Sequence, residues 1–172
     1  MVEDETTVVI RSATPADAEQ IAAVHVASWR QAHAGVVAET YLANLDVAAR
    51  AQRWRDQLTA DPDTSVWVAQ EADRIVGFAS IGPSRDEDAE RTTLQVHAIY
   101  LEPQAWGHGV ARELMRTLLT AVPAGVAVTL WVLLANERAR HFYRRNGFVP
   151  DGVERREEIG GEQFQEVRYR RG

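Results

Sequence analysis

Residues 100–111 read Tyr100-Leu101-Glu102-Pro103-Gln104-Ala105-Trp106-Gly107-His108-Gly109-Val110-Ala111, and here a predicted strand gives way to a predicted helix. Gly107 and Gly109 lie at the junction, where residues without a Cβ let the backbone approach a ligand closely and present its N–H groups. The start of a helix suits an anion, because its free amides and its dipole both favour negative charge. Two glycines alone are equally compatible with an ordinary tight turn. A dinucleotide-binding motif is disfavoured, since Arg112 stands where that motif has its third glycine.

A second motif follows in the stretch Trp131-Val132-Leu133-Leu134-Ala135-Asn136-Glu137-Arg138-Ala139-Arg140-His141-Phe142-Tyr143-Arg144-Arg145-Asn146-Gly147-Phe148. Asn136 is a favoured helix N-cap, and Asn146 with Gly147 is a favoured helix end. Phe142 and Tyr143 lie on the apolar side of the helix between them. Alone, this segment is compatible with a capped amphipathic helix that buries an aromatic pair.

The remaining chain alternates strands and helices around these two motifs. Strands are predicted at 8–10, 65–69, 74–79, 94–101 and 126–133, from 147–149 onward, and through Phe164, Val167 and Tyr169. Helices are predicted from Thr14 and Pro15 to a break at 33–37, and at 47–58, 109–122 and 136–146. The acidic residues at 83–91 predict a solvated loop. This order favours a mixed sheet with helices on both faces.

The amino-acid composition excludes several kinds of catalytic and metal-binding site. The chain has 172 residues, no cysteine and 19 basic residues, all of them arginine, against 25 acidic ones. The absence of cysteine and lysine excludes thiolate zinc sites, covalent catalysis through sulfur and lysine Schiff bases. The net charge of −6 disfavours nucleic acid as a partner. No stretch is apolar enough to span a membrane, and residues 1–5 do not resemble a secretory signal, so we expect a cytoplasmic protein.

The two motifs together are far more specific than either alone. Gln-x-x-Gly-x-Gly followed by Asn-x-x-Ala-x-x-Phe-Tyr-x-x-x-Gly-Phe resembles the acetyl-CoA-binding and helix motifs of the Gcn5-related N-acetyltransferase (GNAT) family. The resemblance covers residues 8–169. It implies a GNAT-like α/β fold: a mixed, mostly antiparallel central sheet, helices on both faces, and a splayed strand pair that holds the cofactor. We expect one domain over 1–172 with its core at about 8–170.

The resemblance also implies how acetyl-CoA is held. The backbone of Ile99, Tyr100 and Leu101 would pair with the pantetheine, with the Ile99 amide facing the thioester oxygen. Asn136 would bond the pantetheine arm, and the Tyr143 hydroxyl would protonate the departing thiolate. The pyrophosphate would be held by residues of the glycine-containing turn and the helix start: Gln104, Ala105, Trp106, Gly107, His108, Gly109, Val110, Ala111 and Arg112. No metal is expected.

The chain departs from the family pattern at the general base. Many members carry glutamate at the position of Gln95, and glutamine cannot accept a proton at neutral pH. His97, two residues along the strand, could receive the proton directly, or Gln95 could order a water that passes it to bulk solvent. Trp106 and His108 likewise replace basic residues that are common in the pyrophosphate loop.

The acceptor side is predicted from the first helices and the last hairpin, with Trp29, Arg30 and His33 as candidate substrate-binding residues. Glutamates gathered in the cleft would favour a cationic acceptor, whereas Arg30 facing it would favour an amine that bears a carboxylate. The expected activity is direct acetyl transfer to a primary amine of a small molecule or peptide. The alternative is a non-catalytic acyl-CoA-binding or sensing module that has lost its base. A homodimer is left open.

Overall fold

The predicted alternation of strands and helices is present in the computed structural model, which describes residues 7–172. The expectation about residues 1–5 lies outside this range. The helices are α1 (Ala18–Ala32), α2 (Glu39–Ala43), α3 (Val47–Ala60), α4 (Val110–Thr120) and α5 (Glu137–Arg145). The strands are β1 (Val8–Ser12), β2 (Ser65–Glu71), β3 (Arg74–Pro83), β4 (Leu94–Leu101), β5 (Val128–Leu133), β6 (Val149–Ile159) and β7 (Glu162–Arg171). Within the described residues no helix is both long and apolar enough to cross a membrane.

The seven strands form one sheet in the order β1-β2-β3-β4-β5-β7-β6. Every neighbouring pair is antiparallel except β4 and β5, which run parallel. That parallel pair is registered only at Leu94 with Val128 and at Gln95 with Thr129, and beyond this point the strands diverge. The expected mostly antiparallel sheet with a splayed strand pair is therefore confirmed.

A β-bulge lies next to the point of divergence. Ile81 of β3 pairs with Val96, and the preceding Ser80 pairs with Ala98, so His97 is an extra residue on β4. A bulge increases the local twist and bends the strand that carries it. The bend lies on the segment of β4 that leaves β5.

Apolar side chains cover both faces of the sheet. On one face α4 buries Leu114, Met115 and Leu118 against β3, β4 and β5. On the other face α1 and α3 pack Ile21 and Trp54 against residues of β2 and β3. The expectation of helices on both faces is confirmed, and burial of each such side chain contributes about 1.5–3 kcal/mol.

The first helix begins three residues later than the sequence predicts. Thr14 and Pro15 start a short 3-10 turn, Pro15–Asp17, and α1 follows it. The Asp17 carboxylate accepts the Thr14 N–H at 2.8 Å and pairs with Arg11, also at 2.8 Å. This bonding satisfies the Asp17 side chain in the turn, where it is only 6% exposed.

Helix α2 has no clear signal in the sequence, because five residues are too few to show helical periodicity. It is stabilised from outside by Arg30 of α1, which donates to the carbonyl of Leu42 at 3.0 Å and to that of Leu45 at 3.3 Å. Free carbonyls at a helix end need such donors when water does not supply them.

Residues 84–91 form a loop, as predicted, whereas Pro83 ends β3. The prediction that the segment is solvated is wrong for Asp86. Arg168 of β7, only 7% exposed, binds three carboxylates: Asp151 at 2.6 Å, Asp88 at 2.7 Å and Asp86 at 3.2 Å. Asp86 also accepts the indole N–H of Trp131 at 3.0 Å. A buried cation more than 80 positions along the chain thus orders a segment whose composition resembles a solvated one.

We expect Arg168→Leu to lower the free energy of unfolding by about 3–5 kcal/mol, because Asp86 and Asp151 would stay largely buried without a counter-charge. Urea unfolding at neutral pH measures this loss. Arg156→Leu, which removes an exposed arginine from β6, is the matched control and should change stability by less than about 0.5 kcal/mol. Equal losses in the two variants would contradict the assigned role of the buried cluster.

Candidate active site

A cavity of about 1080 Å³ opens where β4 and β5 diverge. Fifteen of the predicted site residues line it: Trp29, His33, His97, Ile99, Tyr100, Leu101, Ala105, Trp106, Gly107, Gly109, Val110, Ala111, Arg112, Asn136 and Tyr143. Four do not: Arg30, Gln95, Gln104 and His108. Its lining includes the glycine-containing turn, residues of α4 and α5, and residues of α1, β6 and β7.

The edge of β4 that faces away from β3 borders this cavity. The Glu102 N–H, just after β4, donates to the Val76 carbonyl of β3. Successive residues of a strand direct their N–H groups to opposite edges. Ile99 and Leu101 therefore direct their backbone polar groups into the cavity. The Leu101 carbonyl accepts the Trp106 indole N–H there at 3.1 Å. This edge can pair with an extended ligand as a further strand would.

The two glycines of the turn have the backbone conformation that the sequence suggests. Gly107 has φ +80° and Gly109 has φ +79°, a left-handed region that favours glycine. A Cβ built on either residue would meet no protein atom within 4 Å, so both face open space. Gly109 is the residue from which α4 starts. The turn is thus a cradle of bare backbone at a helix N-terminus, which suits a phosphate group.

A cation that the sequence analysis does not single out lies beside this turn. The guanidinium carbon of Arg138 is 4.1 Å from the centroid of the Trp106 ring. Arg138 lies near the start of α5, on the far side of the divergence from the turn that carries Trp106. Both residues line the cavity.

Asn136 and Tyr143 occupy the two ends of α5. The Asn136 Oδ1 accepts the Ala139 N–H at 3.1 Å, so its side chain caps the helix as predicted and keeps its amide N–H groups as donors. The Tyr143 ring packs edge-on against Phe148 with 6.2 Å between centroids. Burial raises the pKa of Tyr143 well above its ordinary value, so its hydroxyl remains protonated and can donate a proton.

Gln95 and His97 do not share one environment. The Gln95 Oε1 accepts the Arg85 N–H at 3.0 Å, which ties the start of the 83–91 loop to β4. Burial, with a smaller contribution from Arg85, lowers the pKa of His97 to about 4. His97 is therefore neutral at pH 7. Because an unfolded histidine takes up its proton near pH 6.5, this residue destabilises the fold as the pH falls from about 6.5 towards 4.

An aromatic wall closes the inner side of the cavity. The His25 ring stacks on Tyr100 with 4.9 Å between centroids, and the Tyr100 hydroxyl accepts the Trp29 indole N–H at 3.1 Å. Burial, together with the charge of Arg50, lowers the pKa of His25 to about 3. The sequence does not identify His25 as a site residue, since its only signal is its position next to Val24 on α1.

The end of the cavity formed by β6 and β7 is acidic. Glu157, Glu158 and Glu166 line it. The Glu166 side chain is 14% exposed and its Oε1 accepts the Arg155 Nε–H at 2.9 Å. The guanidinium carbon of Arg155 lies 4.2 Å from the centroid of the Trp131 ring. This contact holds Arg155 in place and thereby positions the Glu166 carboxylate that it binds. Arg30 does not contribute here, because its guanidinium is bound to carbonyls at the end of α2.

Comparison of the sequence with known proteins indicates the family to which the chain belongs. A model of the acetyltransferase (GNAT) family matches residues 25–148. The "Probable N-acetyltransferase Rv2775" of Mycobacterium tuberculosis is 29% identical over 147 residues, which cover 83% of this chain and 80% of that protein. The "Uncharacterized N-acetyltransferase Rv2669" of the same organism is 32% identical over 140 residues, covering 80% of this chain and 86% of that protein.

A solved structure gives the same result for the fold. The PaiA N-acetyltransferase of Thermoplasma acidophilum, determined in complex with coenzyme A, superposes with a TM-score of 0.71 over 96% of this chain and 98% of that one. Its sequence identity is 18%, so the likeness concerns the fold alone. The family model, by contrast, spans more than half of the sequence. The chain therefore belongs to the Gcn5-related N-acetyltransferase (GNAT) family of acetyltransferases.

Proposed function

We propose that this protein transfers the acetyl group of acetyl-CoA directly to a primary amine of a cationic small molecule or peptide. The observation that carries the proposal is the open edge of β4. It begins beside the cradle at Gly107 and Gly109, and the cavity that it borders is also lined by the carboxylate of Glu166. A chain without cysteine has no thiol to carry the acetyl group, which fits transfer in one step.

The donor is bound by backbone more than by side chains. The amides around Gly107 and Gly109 hold the pyrophosphate, and the edge at Ile99 and Leu101 pairs with the pantetheine. Asn136 donates from its side-chain amide to the same arm. The Ile99 N–H faces the thioester oxygen and stabilises the negative charge that develops there as the amine adds to the carbonyl carbon.

Two protons move during the transfer. The amine nitrogen forms its bond to the acetyl carbon, the carbon–sulfur bond breaks, and Tyr143 donates its hydroxyl proton to the leaving sulfur. The attacking nitrogen loses its own proton. His97 is too weak a base at neutral pH to receive it, and the Gln95 side chain is bound to the loop backbone. The amine therefore enters neutral, and the proton that its nitrogen loses on acylation goes to water.

The acceptor is cationic because of the charges at its end of the cavity. Glu157, Glu158 and Glu166 lie there against Arg50 and Arg155, whereas Arg30 is engaged elsewhere. One oxygen of Glu166 is bound by Arg155, which leaves the other to accept from an ammonium group. The reaction belongs in the cytoplasm that the sequence predicts.

The purified protein should acetylate hexamethylenediamine with a kcat/KM about tenfold above that for hexylamine. The two amines have equal length, and only the first carries a second ammonium for the carboxylates to bind. Glu166→Gln should bring the two values closer together, mainly through KM for the diamine. Release of free coenzyme A thiol, followed colorimetrically, measures the rates. Tight acetyl-CoA binding with no transfer to either amine would instead support the non-catalytic alternative, and equal rates with both amines would contradict a cationic acceptor.

Tyr143→Phe should lower kcat by about 10²-fold, the scale expected for a general acid, with little change in KM for acetyl-CoA. Tyr169→Phe is the matched control, because it removes a buried hydroxyl from a neighbouring ring that lies outside the cavity lining. The control should retain the wild-type kcat. A loss of acetyl-CoA affinity at unchanged kcat would show that Tyr143 packs against the donor and does not protonate sulfur.

The rate with hexylamine should rise roughly tenfold per unit between about pH 6 and pH 8, following the free fraction of an amine whose own pKa is near 10.4. The lowered pKa of His97 means that its charge changes only as the pH falls towards 4, below this window. His97→Gln should therefore keep the same slope. A plateau above about pH 7 that the variant loses would identify His97 as the base.

A further inference from the structure

We propose that Arg138, held against the face of Trp106, supplies the positive charge that binds the phosphates of the acyl donor. The proposal rests on the proposed function, since it concerns the same donor. Trp106 is then a positioning residue that acts through Arg138. The pair replaces the basic side chains that the glycine-containing turn lacks.

The position of the Trp106 ring is fixed by two contacts. Its indole N–H donates to the Leu101 carbonyl at 3.1 Å, and the guanidinium of Arg138 lies over its ring at 4.1 Å. Trp106 directly precedes Gly107. The cation is consequently held beside the cradle that the glycines form, although α5 carries it from the other side of the cavity.

Stacking leaves the arginine free to bind an anion. A guanidinium that packs its flat face on an aromatic ring keeps its N–H donors around its rim, where they can contact phosphate oxygens in pairs. Within residues 7–172 the Arg138 side chain makes no hydrogen bond or ion pair, and its ring contact is the one with Trp106. No residue in the described part of the chain uses its N–H donors.

The other arginines of α5 are placed differently. Arg140 donates to the Tyr169 hydroxyl at 3.1 Å and to the Leu134 carbonyl at 3.0 Å. Arg144 lies 5.9 Å from the centroid of the Tyr169 ring. Neither residue lines the cavity, and Arg145, which does, lies seven residues further along α5 than Arg138.

The turn itself offers hydrogen bonds but no full positive charge. Residues 100–111 contain no arginine or lysine, and Arg112 follows only within the first turn of α4. Backbone amides and a helix dipole together amount to a partial charge, whereas pyrophosphate and a further phosphate carry several negative charges. A cation from outside the turn is the missing component, and Arg138 has the required position.

The test compares two acyl donors that share a thioester but differ in phosphate: acetyl-CoA and S-acetylpantetheine. Arg138→Gln should lower kcat/KM for acetyl-CoA about tenfold and leave that for S-acetylpantetheine unchanged. Trp106→Leu should cause a similar selective loss although it removes no charge. Trp106→Phe, which keeps a ring face, should stay within about threefold of the wild type. The double variant should lose little more than either single one, as expected for residues that act as a unit.

Arg116→Gln removes an exposed arginine from α4 and should match the wild type with both donors. Calorimetry with coenzyme A and with pantetheine gives a second readout that does not depend on turnover. Weaker binding of coenzyme A alone in Arg138→Gln would support the proposal even if no amine were acetylated, so that only the proposed function would fail. Equal losses with both donors, or no loss with either, would overturn the role of Arg138.

Discussion

The structure depends on how little of β4 and β5 is paired. Two adjacent parallel strands would ordinarily satisfy each other's backbone groups along their whole length, and here the registered pairing stops after Gln95 and Thr129. The bulge at His97 bends β4 beside that point, and the cavity occupies the space that opens. The open edge must find its hydrogen-bond partners outside the sheet. An extended ligand arm meets that need, so the constraint that interrupts the sheet also creates the donor site.

The same divergence explains why side chains from distant parts of the chain meet. Beside the glycine cradle, the cavity is lined by residues of the β4–α4 turn and of α5, which lie before and after β5 in the sequence. The cavity also takes residues from α1 and from the β6–β7 hairpin, which closes against Tyr41 of α2 near Gly160. Arg168 fixes the base of that hairpin by binding Asp86 and Asp151 together. The buried ion cluster thus anchors the hairpin that carries Glu157, Glu158 and Glu166.

Local sequence signals predict the elements whose stability is largely local. Asn136 and Gly109 mark helix starts through their own backbone and capping chemistry, and β4 has the bounds that its apolar run predicts. The features that sequence does not reveal are made by partners far along the chain. Helix α2 depends on Arg30, and Asp86 is bound by a residue 82 positions away. In the site, the donor residues come from two local motifs, whereas Glu166 is brought beside β5 only by strand pairing between β5 and β7.

The carboxylates of the cavity lie on other elements than the arginines next to the glycine cradle, and this separation would give the proposed reaction a direction. Arg112 and Arg138 lie on α4 and α5 beside the glycine cradle, whereas the carboxylates of Glu157, Glu158 and Glu166 lie on β6 and β7, together with Arg155. A polyanionic donor that entered in reverse would place its phosphates against these carboxylates, a repulsion that a partly desolvated cleft strengthens. A cationic amine is attracted by these carboxylates and repelled by the arginines beside the cradle. Both substrates are thereby oriented with their reacting groups towards the centre, where the Ile99 amide faces the cavity.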